Sequence, residues 1–249
     1  MKYGYMAGFR AELESEIKFA KKHFDFVEIT LKSRSLEYPL QYFSALKNSL
    51  KNFEVIGHIH WEIKDFKKIY KNIKVLKKLG VKKITIHPFL DEEQTREENI
   101  QNNIFFLSKI NEFCLRNRIE LLIENITNSP FNKASNLAKL IDNIPNVGMT
   151  LDIGHANKTS KSELSKFLKN FKSKIKHIHI HDNIGKFDHL FFNDPNRLKR
   201  IFTKIKSINY NGTILLETFA VIKNNQYVSL DFSEIKNRHI KQLEMVKKI

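Results

Sequence analysis

Only one cysteine, Cys114, occurs in the 249 residues. A framework of internal disulfides is excluded, and a reducing, cytoplasmic setting is expected. Glycine and proline are scarce, at 8 and 5, and no stretch is rich in Gly, Ser or Pro. A flexible linker between domains is therefore not expected. No apolar run is long enough to span a bilayer, so no membrane partner is expected. The opening Met1–Arg10 lacks the apolar core and cleavage site of a secretory leader. Arginine supplies 8 of the 43 basic residues. Arginine is the better bidentate phosphate binder, so the formal net charge of +16 reads first as a lysine-rich solvated surface. Its second reading is a field for nucleic acid or for an anionic substrate such as a sugar phosphate.

Apolar residues make up 41% of the chain and phenylalanine alone contributes 20 residues, enough for a large core with bulky packing. Lys67, Lys68, Lys71, Lys74, Lys77 and Lys78 alternate with Phe66, Ile69, Ile73, Leu76 and Leu79 at helical spacing. That is the wet outer face of one amphipathic helix. Cys114 falls on the stripe Ile100, Ile104, Leu107, Cys114, which makes it a core residue rather than a nucleophile.

Short apolar runs alternate with helical patterns along the whole chain. Strands are expected at Lys2–Ala7, Phe26–Thr30, Glu54–His60, Lys83–His87, Glu120–Glu124, Gly148–Ile153, His177–His181 and Thr213–Glu217. Helices are expected near 12–22, 40–51, 64–79, 96–116, 135–143, 161–172, 196–207 and 232–247. Thr95-x-x-Glu98, Ser160-x-x-Glu163 and Asp231-x-x-Glu234 read as capping boxes, and Gly80 as the residue after a helix. Strict alternation of eight strands with eight helices predicts an α/β fold, a single (β/α)8 TIM barrel domain over 1–249. An open doubly wound sheet is the runner-up. It would want a Gly-rich phosphate loop after an early strand, and none is present.

In such a barrel the C-terminal ends of the strands face the active site. Those ends carry Glu28, His58 and His60 beside Trp61, His87, Glu124, Asp152 and His155, His177, His179 and His181, and Glu217. Burying so many ionisable groups together is costly unless they pair or bind a cation. Imidazoles and carboxylates suit a divalent metal. His177, His179 and His181 share one face of their strand, so spacing leaves open which of them is the ligand.

At these residues the chain resembles the xylose isomerase-like barrel superfamily, which holds sugar and sugar-phosphate isomerases and epimerases and the endonuclease IV-type apurinic endonucleases. The motifs are Leu122-Ile123-Glu124-Asn125, Leu151-Asp152-Ile153-Gly154-His155-Ala156, His179-Ile180-His181-Asp182-Asn183 and Leu215-Leu216-Glu217. The resemblance implies a divalent ion (Zn, Mn, Co or Mg) held by Glu124, Asp152, His179 and Glu217. It implies a second position at His58 and His87 with Glu124 as bridge, and a third at His155 and His189. Two departures touch the third. Asp188 and His189 are adjacent where the family spaces them by one residue, and Phe191-Phe192-Asn193-Asp194-Pro195 replaces a Gly-rich segment.

Two reactions follow from the resemblance. In the isomerase or epimerase reading, the ion acidifies a carbon next to a carbonyl, and Glu124 and Glu217 move the proton. In the endonuclease reading, two or three Zn ions activate a hydroxide against a phosphodiester in abasic DNA. Endonuclease-type members usually have Gly after the strand-five Glu-Asn and Cys before the strand-six His. Here those places read Ile126–Phe131 without glycine, and Gly154. Both departures favour a small-molecule sugar or sugar-phosphate substrate. The charge, the many histidines and Arg34 after strand two favour nucleic acid. A non-catalytic metal- or ligand-binding barrel is the third class. The sequence sets no oligomeric state.

Overall fold

In an extended strand successive side chains point to opposite faces, so each strand here sends every second residue into the barrel. The chain is described by a computed structural model for residues 1–8, 12–31, 40–60, 62–160 and 162–249. Arg10, Arg34, Trp61 and Lys161, each singled out above or starting an expected helix, lie outside the described residues.

The eight barrel strands are β1 (Lys2–Ala7), β2 (Phe26–Leu31), β3 (Glu54–Ile59), β4 (Lys83–Ile86), β5 (Glu120–Glu124), β6 (Gly148–Asp152), β7 (Ile175–Ile180) and β10 (Thr213–Leu216). They close in the order β1-β10-β7-β6-β5-β4-β3-β2. Every pair is parallel, and β1 joins both β2 and β10. This closure removes the open-sheet alternative. Strands β8 (Asp182–Ile184), β9 (Phe187–Leu190), β11 (Ala220–Lys223) and β12 (Gln226–Ser229) form a second, four-stranded sheet. It grows from the C-terminal ends of β7 and β10.

Nine helices occur among the described residues: α1 (Leu13–His23), α2 (Leu40–Ser49), α3 (Phe66–Lys78), α4 (Arg96–Arg116), α5 (Ala134–Asp142), α6 (Ile153–Thr159), α7 (Glu163–Asn170), α8 (Pro195–Ser207) and α9 (Phe232–Lys247). The helix α6 and the second sheet go beyond the eight-plus-eight expectation. Helix α6 starts where β6 ends, because Asp152 both closes the strand and accepts the backbone N–H of His155 at 2.7 Å. Apolar Ile153 hid that boundary.

Caps follow their chemistry at α4, where Thr95 and Glu98 form the reciprocal capping box, and at α9, where Asp231 accepts from the Glu234 backbone. The box at Ser160 does not form. Helix α7 has no side-chain cap, and the Glu163 carboxylate instead accepts the backbone N–H of Ala134 at 2.8 Å, in the first turn of α5. A neighbouring helix's orphan donor outbids the local one. The lysines of α3 are exposed while Ile69, Ile73 and Leu76 are buried. Cys114 is buried, and burial pushes its thiol up to about 12.

The main core fills the space between barrel and helices. A separate apolar cluster, Met6, Phe26, Ile56 and Leu215, plugs the barrel interior. Above it Thr85 and Thr150 share a 2.8 Å hydroxyl hydrogen bond across β5. Phe26 lies against Gly4, where an added Cβ would come 2.2 Å from the ring. Gly4→Ala should therefore overpack the plug and lower stability by about 1–3 kcal/mol, read as an earlier urea midpoint. An unchanged midpoint would mean that Phe26 does not need that space.

Candidate metal centre at the mouth of the barrel

Side chains of the inward register rise in layers from the plug. Glu28 and His177 stand directly over it, with the His177 ring 5.6 Å from Phe26. Above them Glu124, Asp152, His179 and Glu217, from the ends of four strands, bring one donor atom each within 4.8 Å of one another. All four are buried. His179 Nδ1 lies 3.0 Å from Glu217 Oε2 and 3.4 Å from Glu124 Oε1.

The donor atoms here are short of hydrogen bonds. Both carboxylate oxygens of Glu124, Oε2 of Glu217, Nδ1 of His179 and Nε2 of His87 are buried and have no hydrogen-bond partner among the described residues. Buried polar atoms are rarely left so. Their lone pairs converge on a common region, which is what a cation would satisfy. Oxygen and imidazole donors fit a divalent ion of the Zn, Mn, Co or Mg type. With no such ion, protons carry the compensation. Burial alone would lower His179, but the carboxylates of Glu28, Glu124 and Glu217 outweigh it and raise it well above the usual imidazole range.

A second group joins His58, Glu124 and His179. His87 Nε2 adds to it at 3.1 Å from Glu124 Oε2, and the His58 and His87 rings meet edge to face at 5.0 Å. A third joins His155, His181, Asp188 and His189. His181 sits between two carboxylates, 3.1 Å from Asp152 and 3.0 Å from Asp188. Burial works to lower it, yet those carboxylates raise it well above the ordinary range. His189 goes the other way, to about 4, through burial and the charge of His181.

The eight residues expected at the site are thus all gathered at the mouth. The three histidines of β7 and its end, equivalent by spacing, separate in space. His177 and His179 turn to Glu28, and His179 also reaches the four-residue group. His181 belongs with Asp188. Sequence reasoning kept His181 only as an alternative to His179 and set Asp188 aside because it adjoins His189. In an ordinary strand adjacent side chains diverge. Here His189 adopts φ of 52°, and this left-handed turn brings both neighbours into one group. His60 is buried but lies outside these groups, 3.4 Å from Glu62. It lines a cavity of about 240 Å³ with Lys64, His87, Phe89 and Ile126.

Gly154 has a steric reason. An added Cβ there would fall 2.0 Å from the His181 ring, so the observed place of that ring requires glycine at 154.

Residues 17–238 match the xylose isomerase-like TIM barrel family, and the chain belongs to that family. It is 27% identical over 263 aligned residues to the uncharacterized protein MJ1311 of Methanocaldococcus jannaschii, covering 92% of this chain and 87% of that one. Among solved structures, a D-tagatose 3-epimerase-like protein superposes with a TM-score of 0.76 at 23% identity, over 100% of this chain and 96% of that one. The IolI protein with a bound zinc atom gives 0.70 at 16%, over 100% and 96%. An AP endonuclease, family 2, from Brucella melitensis gives 0.66 at 14%, over 87% and 92%. These likenesses show the shared fold.

Gly154→Ala should push the His181 ring from between Asp152 and Asp188. The expected result is a folded protein, destabilised by about 1–3 kcal/mol, whose His181 imidazole nitrogen resonances move while those of His177 stay. Unmoved His181 resonances would contradict the steric coupling.

Proposed function

We propose that the chain is a divalent-metal-dependent sugar or sugar-phosphate isomerase or epimerase. The observation that carries this reading is the convergence of the Glu124, Asp152, His179 and Glu217 donor atoms within 4.8 Å, several of them buried without hydrogen-bond partners. These four residues would hold the ion. When bound, such an ion polarises a carbonyl and acidifies the neighbouring carbon.

The remaining chemistry belongs to the carboxylates. Glu124 ends β5 and Glu217 follows β10, three strands away around the barrel, so they reach the centre from different sides. One would take the proton from the carbon beside the carbonyl and the other return it, to the opposite face in an epimerase or at the adjacent carbon in an isomerase. The cavity lined by His60, His87 and Phe89 offers apolar and polar walls, and its His87 lies 3.1 Å from Glu124. The epimerase-like neighbour supports the sugar class, and the zinc in the IolI structure supports a metal in this fold. In this reading His58, His87, His155 and His189 are additional donors at the rim.

A second reading has a specific observation behind it. The His58–His87–Glu124 and His155–His181–Asp188–His189 groups are both assembled, as three zinc positions of an apurinic endonuclease would require, and one structural neighbour is an AP endonuclease, family 2. Against it, Arg197 is drawn to Asp182 at 2.7 Å and Lys158 to Asp188 at 3.0 Å, so these basic groups near the mouth are already engaged by carboxylates.

Elemental analysis of the purified protein should find one tightly held divalent ion per chain. Three zinc ions, together with cleavage of a duplex at an abasic site, would transfer the assignment to the endonuclease. Glu217→Gln should retain the fold and slow proton exchange between deuterated water and ketose or aldose substrates by roughly 10²–10⁴. Exchange at the wild-type rate in that variant would remove Glu217 from proton transfer.

A further inference from the structure

One buried carboxylate took no part in that chemistry. Glu28 lies on β2 between the apolar plug and the mouth, with 0% exposure. Its ion-pair partners are all histidines. Oε1 accepts from His58 Nδ1 at 3.0 Å, and Oε2 accepts from His177 Nε2 at 2.9 Å and His179 Nε2 at 3.2 Å. Among the described residues no lysine or arginine reaches it. An isolated buried carboxylate is costly, so its compensation must come through these three rings.

A carboxylate can only accept, and a neutral imidazole donates from one nitrogen and accepts at the other. In the neutral form of each ring, the form that can offer a lone pair to a cation, the contact to Glu28 therefore settles where the proton sits. His58 must carry its proton on Nδ1, which leaves Nε2 with its lone pair 3.7 Å from Glu124. His179 must carry its proton on Nε2, which leaves Nδ1 facing Glu124 and Glu217. His177 is set the same way but looks outward from the mouth. Its Nδ1 takes the Thr213 hydroxyl at 2.8 Å.

Resting on the metal reading above, we infer that Glu28 is the positioning residue of the ion site: it fixes which nitrogen His179 offers to the Glu124–Asp152–His179–Glu217 group and which nitrogen His58 turns to Glu124, and its two oxygens tie the His58–His87 side of the mouth to that group. Carboxylates behind ligand histidines tune affinity in this way. Here one carboxylate serves histidines of two groups, so neither group can be reset alone.

The test uses the full chain with zinc or cobalt(II) alone. Glu28→Gln presents one acceptor and one donor where two acceptors stood, so a ring facing the amide N–H must shift its proton and withdraw its lone pair from the mouth. Zinc affinity, measured by chelator competition, should fall by about 10–100-fold, and the visible spectrum of the cobalt(II) form should change. Glu28→Asp keeps the charge and should recover part of the affinity. Thr213→Val loosens the same layer without touching a nitrogen that faces the mouth, and should bind zinc as the wild type does. Equal zinc affinity and cobalt spectra in Glu28→Gln and wild type would overturn the inference alone, as would an equal loss in Thr213→Val. A wild type that takes up no zinc would overturn the metal reading and this inference with it. If Glu28→Gln does not fold, imidazole ¹⁵N shifts of the zinc-loaded wild type decide. Protons on Nδ1 of His58 and Nε2 of His179 support the inference, and the reverse pattern overturns it.

Discussion

The structure turns on the electrostatics of a crowded, dry barrel mouth. Glu28, Glu124, Asp152 and Glu217 are all buried, in company with His58, His155, His177, His179 and His181. Carboxylates this close repel strongly in a medium from which water is excluded, and the imidazoles answer them one by one. Everything else holds that arrangement in place. The parallel ring sets which strand ends meet, the plug seals the floor, and the short helix at Asp152 supplies the His155 backbone N–H to the Asp152 carboxylate. Leaving such charge unbalanced in a dry site is costly, and this donor set would suit a divalent cation as the balance.

This view also explains the second sheet. Its β8–β9 hairpin carries Asp188 and His189 back over the mouth, and β11 pairs with β9 at Ala220 and Leu190, so the strand after β10 pins that hairpin down. His189 stacks on Phe219, 4.7 Å between ring centroids. The third donor group therefore depends on two insertions that follow different barrel strands.

Much of this was legible in the residues. Short apolar runs located all eight barrel strands, with ends displaced by two residues or fewer, because buried parallel strands read as continuous apolar stretches. The polar residues closing those runs are the ones found at the mouth. The second sheet was hidden for the opposite reason: its strands are only three or four residues long and none is buried along its whole length. One usable signal was Asn224-Asn225, both at positive φ (50° and 59°), the residues a two-residue hairpin turn prefers. The roles of His177, His179 and His181 could not be separated by spacing, since all three share a strand face. Their partners decide, and Glu28, 149 residues from His177 along the chain, is visible only once the barrel closes. Asp188 was doubted because it adjoins His189 where the family leaves one residue between them, and the left-handed φ of His189 is what places both side chains in one group.

The plug of Met6, Phe26, Ile56 and Leu215 makes the barrel a well with one open end. Traffic to the Glu124 layer must pass the rim, and whatever settles above that layer shuts in what lies below. In the metal reading, topology would then impose an order of arrival: an ion would have to be seated before a larger molecule covers it, and would leave only after that molecule has gone. Slow exchange of such a deeper occupant would need no moving lid, since the covering molecule would be the stopper.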